Sequence, residues 1–162
     1  MQITVKYTTK ENSTILKEAA EFFSRILLND ISDEIVLDIE VNCKDVDGEC
    51  IDECGNNNPR FFTIRLKKQD ISNMISILGH EMVHLKQYAT NELKDHIIIM
   101  TDDGIKFVGK WKNEIWEPKE LDDPYFDSPW EIEAHGLQAS LHYKWDTRYD
   151  PEKKWCINDK MV

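Results

Sequence analysis

The chain has 162 residues, 41% hydrophobic and 31% charged, which suits one globular domain with its own core. Its 31 acidic against 20 basic residues leave a formal charge of -11, which speaks against the clustered Lys and Arg of a nucleic-acid surface. No apolar run is long enough to span a bilayer, and MQITVKYTTKENS lacks the pattern of a secretory signal, so a cytoplasmic location is expected.

In chain order, residues 2–7 alternate as a short strand, and Ser13 to Leu28 reads as an amphipathic helix. Ile15, Ala19, Phe22, Phe23 and Ile26 mark that helix's core side. Glu34 to Val41 alternates again and is expected as a strand. An acidic, Gly- and Asn-rich loop is expected over residues 43–59, carrying Cys43, Cys50 and Cys54. Those three thiols and Cys156 lack the paired CxxC steps of a four-cysteine zinc site, so they are expected to be free. The run Lys44 to Gly48 (KDVDG) matches part of a calcium loop, but that frame puts Cys43 and Cys54 where hard oxygen ligands are required. Residues 61–66 (FFTIRL) form a further strand, either along a cleft or inside the sheet.

A second helix should start at Asp70 or Ser72, either of which can cap free N–H groups, and run to about Tyr88. Ile71, Met74, Ile75, Leu78, Met82 and Leu85 share one stripe, while His80, His84 and Tyr88 lie on the opposite face. Such a helix is expected to sit between the core and a cleft. Residues 96–116 read as a hairpin turning at Asp103-Gly104, followed by a Pro- and Asp-rich loop. The last helix should begin near Ser128-Pro129. It carries Trp130, Ala134, Leu137 and Leu141 on one stripe and Glu131, His135, Gln138 and His142 on the next. The expectation is one α+β domain over 1–162, with a short mixed sheet and a central metal helix. Within it, 1–69 is a strand-helix-strand part, 70–145 holds the metal-site helices and 146–162 is a tail.

His80-Glu81-Met82-Val83-His84 is an HExxH motif on that second helix. Residues four apart stack on one helical face, so both imidazoles can point at a single ion. Zinc accepts two such nitrogens and tolerates an open position for water, whose proton Glu81 is placed to take. For a third ligand, the stripe shared with His135 and His142 favours Glu131, with His135 as a supporting partner one turn on. Glu133 and His135 are the alternatives. Tyr125, His142, Tyr143, Arg148 and Tyr149 are candidates to stabilise an oxyanion, and His142 is preferred because it shares the Glu131 stripe.

An HExxH followed by a helix bearing Glu-x-x-Ala resembles the glutamate-zincin metallopeptidases, including the thermolysin-like group. The resemblance implies that Glu131 binds zinc. It also implies a support for a ligating histidine four residues later, where this chain has His135 in place of the usual Asp. The strings GHEMVHLKQYATNEL and PWEIEAHGLQ together resemble small SprT-like or minimal-zincin proteins often found in bacteriophage genomes, over roughly residues 59–142. That likeness implies a compact α+β zinc peptidase of host cytoplasm acting on a protein or peptide. In zincins an edge strand above the metal helix pairs with extended substrate, which FFTIRL could supply. The reading from a different class is a catalytically silent, acidic zinc-containing binding or inhibitor protein. Neither oligomeric state nor substrate is written in the sequence.

Overall fold

The computed structural model describes residues 1–101, 104–116 and 128–148 of an α+β domain. The elements are β1 (Gln2–Lys6), α1 (Lys10–Leu27), β2 (Val36–Cys43), β3 (Gly48–Asp52), β4 (Phe61–Lys67) and α2 (Ile71–Ala89). They continue with β5 (Leu93–Thr101), β6 (Gly104–Trp111), β7 (Glu114–Trp116) and α3 (Pro129–Asp146). A short 3-10 turn over Asn29–Glu34 leads into β2. Asp103 of the expected turn, Tyr125, Tyr149, Cys156 and most of the 146–162 tail lie outside the described residues.

The first sheet has the order β1-β2-β4-β3, parallel except for β3, which runs antiparallel to β4. Its register explains its two faces. Ile3, Leu37 and Phe62 form one cross-strand row, and Ile39 and Ile64 lie in the next, all buried beneath the helices. The other face carries the row Lys6, Glu40, Arg65 and Glu49, in which the charges alternate and every neighbour pairs: 3.6 Å, 3.7 Å and 3.2 Å. Burying one face and charging the other is how a sheet covered on one side by helices stays soluble on the other.

β3 stands where the sequence suggested only loop. Its segment GECID has little strand signal, and it forms because β4 offers a free edge to pair with. As a consequence FFTIRL is an internal strand, flanked by β2 and β3, and among the described residues Gly48–Asp52 is one edge of the sheet, opposite β1.

α2 begins as its sequence predicts: the Asp70 side chain accepts from the Asn73 N–H at 3.0 Å, a cap that contributes about 1 kcal/mol. Met74, Ile75, Leu78, Met82 and Leu85 are buried, each stabilising the fold by about 1.5–3 kcal/mol. α1 contributes Leu16, Ala19, Ala20 and Phe23 to the same core, and α3 closes it with Ala134, Leu141 and Trp145. β5 and β6 pair as the expected hairpin, and β7 adds a third strand after a tight two-residue turn at Lys112 and Asn113, both with positive φ. It docks on Trp130, which Trp116 meets edge-on at 4.8 Å between centroids. Trp130 is thereby anchored, and so is the start of α3 that carries Glu131.

Candidate metal centre

His80 and His84 lie one turn apart on α2, and Glu131 lies in the first turn of α3. The packing of these two helices brings the three side chains together. His84 Nε2 is 3.1 Å from His80 Nε2 and 3.1 Å from Glu131 Oε1, and His80 Nε2 is 3.3 Å from Glu131 Oε2. A tetrahedral zinc with ligand bonds of about 2.0–2.1 Å separates its ligand atoms by about 3.3–3.4 Å, since a tetrahedron's edge is about 1.63 bond lengths. The separations, which involve both carboxylate oxygens of Glu131, are close to that edge length.

The proton inventory gives the same answer. Gln87 is fully buried, and its Nε2 donates to the Trp130 carbonyl at 3.1 Å and to Glu133 Oε2 at 2.9 Å. With its amide hydrogens so engaged, the Gln87 Oε1, 2.9 Å from His84 Nδ1, must accept from that nitrogen. A neutral His84 then carries its proton on Nδ1 and turns a bare Nε2 lone pair toward a carboxylate and a second imidazole. Electron-rich atoms held at this distance in a buried site are stabilised by a shared proton or by a bound cation. Burial alone works against a charged His84, but the contact with Glu131 and its negative charge outweigh it and raise the His84 pKa. Two imidazole nitrogens and one carboxylate could hold a divalent metal ion.

Glu81 is buried beside this group, and burial pushes its carboxyl up to about 7; Glu131 and Glu49 raise it too, against His84 and His80. A carboxyl poised near neutrality can take and return a proton. Its position depends on β3. A β-carbon on Gly48 would stand 2.7 Å from Glu81 Oε1, so a larger residue there would make the carboxylate or the strand shift.

His80, Glu81, His84, Glu131 and His135 open into a cleft of about 690 Å3. Its opposite wall is Asp45 to Cys50, the acidic segment and β3. Among the described residues the lining carries carboxylates of Asp45, Asp47, Glu49, Glu81 and Glu131 and no Lys or Arg.

Of the sequence candidates, the structure brings His80, Glu81, His84 and Glu131 together. His135 stands at their margin: half-exposed, 3.9 Å from Glu131 Oε2, with its ring 4.6 Å from that of His80. One donor atom each from His80, Glu131 and His135 also lie within 4.8 Å of one another, a looser triplet than the first. Glu133, expected on a solvated face, is instead turned to Gln87, Lys86 and Lys112, which outweigh the effect of its partial burial and lower its pKa. It holds Gln87 and does not reach the cluster.

His142 needs correcting. It shares a helical stripe with Glu131 but lies eleven residues on, about 16 Å along the axis. Its Nε2 meets Ser72 Oγ at 3.2 Å, at the far end of α2, and Asp146 Oδ2 at 3.7 Å. Tyr143 is exposed, and Arg148 stacks on Trp145, so neither lines the cleft. Tyr88, read from sequence on the same face as His80 and His84, does line the cleft, whereas Gly48 and Gln87 were missed as site neighbours.

Among the described residues Cys43 and Cys54 form no disulfide. Among the described residues, no helix is long and apolar enough to cross a membrane. Comparison with known proteins finds no matching family model, no matching curated protein and no matching solved structure.

Proposed function

We propose that this chain is a zinc-dependent metalloendopeptidase of the minimal-zincin type, cutting peptide bonds of a protein or peptide substrate. The observation that carries the reading is the trio of 3.1, 3.1 and 3.3 Å separations among His84, His80 and Glu131, with buried Glu81 on the same helix. His80, His84 and Glu131 would hold the ion. Zinc bound there would supply a polarised water of pKa about 7 and a Lewis acid for the peptide carbonyl.

The chain's own residues account for the rest. Glu81 accepts a proton from the attacking water and returns it to the departing amine, which its raised pKa suits. Gln87 fixes the His84 ring, and Glu133 fixes Gln87. The free edge of β3 offers main-chain donors and acceptors to an extended substrate across the cleft, the role that FFTIRL could not fill from inside the sheet. His135, half-exposed in the cleft, is the imidazole placed to meet charge developing on the substrate, in the position first considered for His142.

The test pairs metal analysis with digestion of casein. One zinc per chain is expected, lost in His80→Ala, His84→Ala and Glu131→Ala, and kept in Glu81→Gln, which should cut nothing. Zinc retained in His84→Ala but lost in His135→Ala would move the ligand set to the looser triplet. Zinc bound by a wild-type protein that cleaves no substrate would leave the silent zinc-binding reading in its place.

A further inference from the structure

The cleft at the metal centre does not end at Cys50. A second cavity of about 480 Å3 begins there, and Cys50 and Tyr88 line both. Its remaining walls include Asp52 of β3, Asn56 and Asn57 of the loop that follows, and Asn91 and Lys94 beyond the end of α2. The Lys94 ammonium bonds Asn57 Oδ1, tying the loop to β5 across this cavity. One strand therefore borders both spaces: Gly48 to Cys50 face the first and Cys50 to Asp52 the second. Among the described residues that strand is one edge of its sheet.

We infer that the second cavity is a distal compartment of the substrate groove, occupied by the same extended polypeptide whose scissile bond lies at Glu81. This rests on the peptidase reading above. β3 has five residues, which at about 3.4 Å each span about 17 Å. A peptide paired along the whole edge reaches from the metal centre past Cys50 into the second cavity, while a shorter one fills the first alone. Beside Ile51, Pro59 and Leu93, the side amides of Asn56, Asn57 and Asn91 and the Lys94 ammonium give its lining hydrogen-bonding groups, so it accepts side chains with a polar end several residues from the bond attacked.

The test is a nested series of zinc-protein substrates, peptides of about four to about ten residues extended at either end with serine and glutamine. Extension at one end should raise kcat/KM about ten-fold once the peptide spans β3, and Asn57→Trp, which fills the cavity, should abolish that rise. A flat length dependence in the wild type, or a rise that survives Asn57→Trp, overturns the inference. Binding gives an arm independent of turnover: a fluorescein-labelled ten-residue peptide on zinc-loaded Glu81→Gln should bind about ten-fold more weakly when Asn57→Trp is added. Wild-type protein that cuts no peptide sinks the peptidase reading, and the anisotropy measurement still decides whether the second cavity holds polypeptide. Circular dichroism of Asn57→Trp checks that this exposed loop variant folds.

Discussion

Gly48 on β3 packs so closely on Glu81 of α2 that an added β-carbon would stand 2.7 Å from the Oε1 of its carboxylate and 2.5 Å from Ile77 Cγ2. Gly48→Ala must therefore displace either the strand or the carboxylate. Because a misplacement of about 1 Å at a reacting group can cost about 100-fold, hydrolysis should fall by about 10–100-fold with zinc content unchanged. The overpacking should cost about 1–3 kcal/mol in urea unfolding. Full activity with normal zinc content would show that Glu81 does not depend on this approach.

The same substitution should have the opposite sign on α3. A β-carbon at Gly136 would meet nothing within 4 Å, and the residue is exposed in the helix interior. Gly136→Ala should stabilise the protein by about 0.5–1 kcal/mol, since alanine loses less backbone entropy on folding. Thermal unfolding checks it, and an unchanged or lowered midpoint would reject it.

What could be read from sequence was whatever repeats locally. The Asp70 cap, the apolar stripe of α2, the facing pair His80 and His84, and the Pro129 start of α3 all follow from helical spacing. Glu131 was reachable by the same reasoning. The same periodicity misled at His142, because a shared stripe fixes direction around a helix and says nothing of the 16 Å or so along it. β3 was invisible because GECID gains its strand conformation from β4's free edge and not from its own composition. The Gln87–Glu133 bridge was equally hidden: Glu133 looked solvated until α2 and α3 were packed against each other.

Removing metal should loosen the junction of α2 and α3. Two imidazoles and a buried carboxylate that would share one cation are left facing one another without it. Zinc at about 100 times its dissociation constant should stabilise the protein by about 2.7 kcal/mol, read as a rise of several degrees in the melting temperature that EDTA reverses. Glu81→Gln should keep the rise and Glu131→Ala should lose it. A wild-type melting curve indifferent to zinc would remove the metal from the site.

The acidic wall should bias the cleft toward cationic polypeptide. Asp47 and Glu49 have partners behind them, Lys67 at 3.4 Å and Arg65 at 3.2 Å, but Asp45 is exposed with no ion pair among the described residues. Peptides with Lys or Arg near the cut should be hydrolysed several-fold better than their Glu counterparts. Asp45→Lys should narrow that gap, and so should raising the salt, because the field is screened over about 8–10 Å at physiological ionic strength. A preference for acidic peptides would contradict the electrostatic argument.

Gln87 offers the sharpest separation between packing and metal chemistry. It is wholly buried and engages His84 Nδ1, the Trp130 carbonyl and Glu133 at 2.9, 3.1 and 2.9 Å, so it locks one ligand's tautomer while joining α2 to the segment that carries another. Gln87→Met keeps the volume and removes every one of those bonds, leaving the His84 imidazole N–H unpaired at about 1–3 kcal/mol. If the residue mattered only as packing, zinc affinity would be untouched. The bonding pattern instead requires that His84 lose its fixed proton position as well, so competition against a chromophoric chelator should show zinc held about 10–100-fold more weakly. Stability and affinity falling together is the expected signature; a stability loss with wild-type affinity would confine Gln87 to joining the helices.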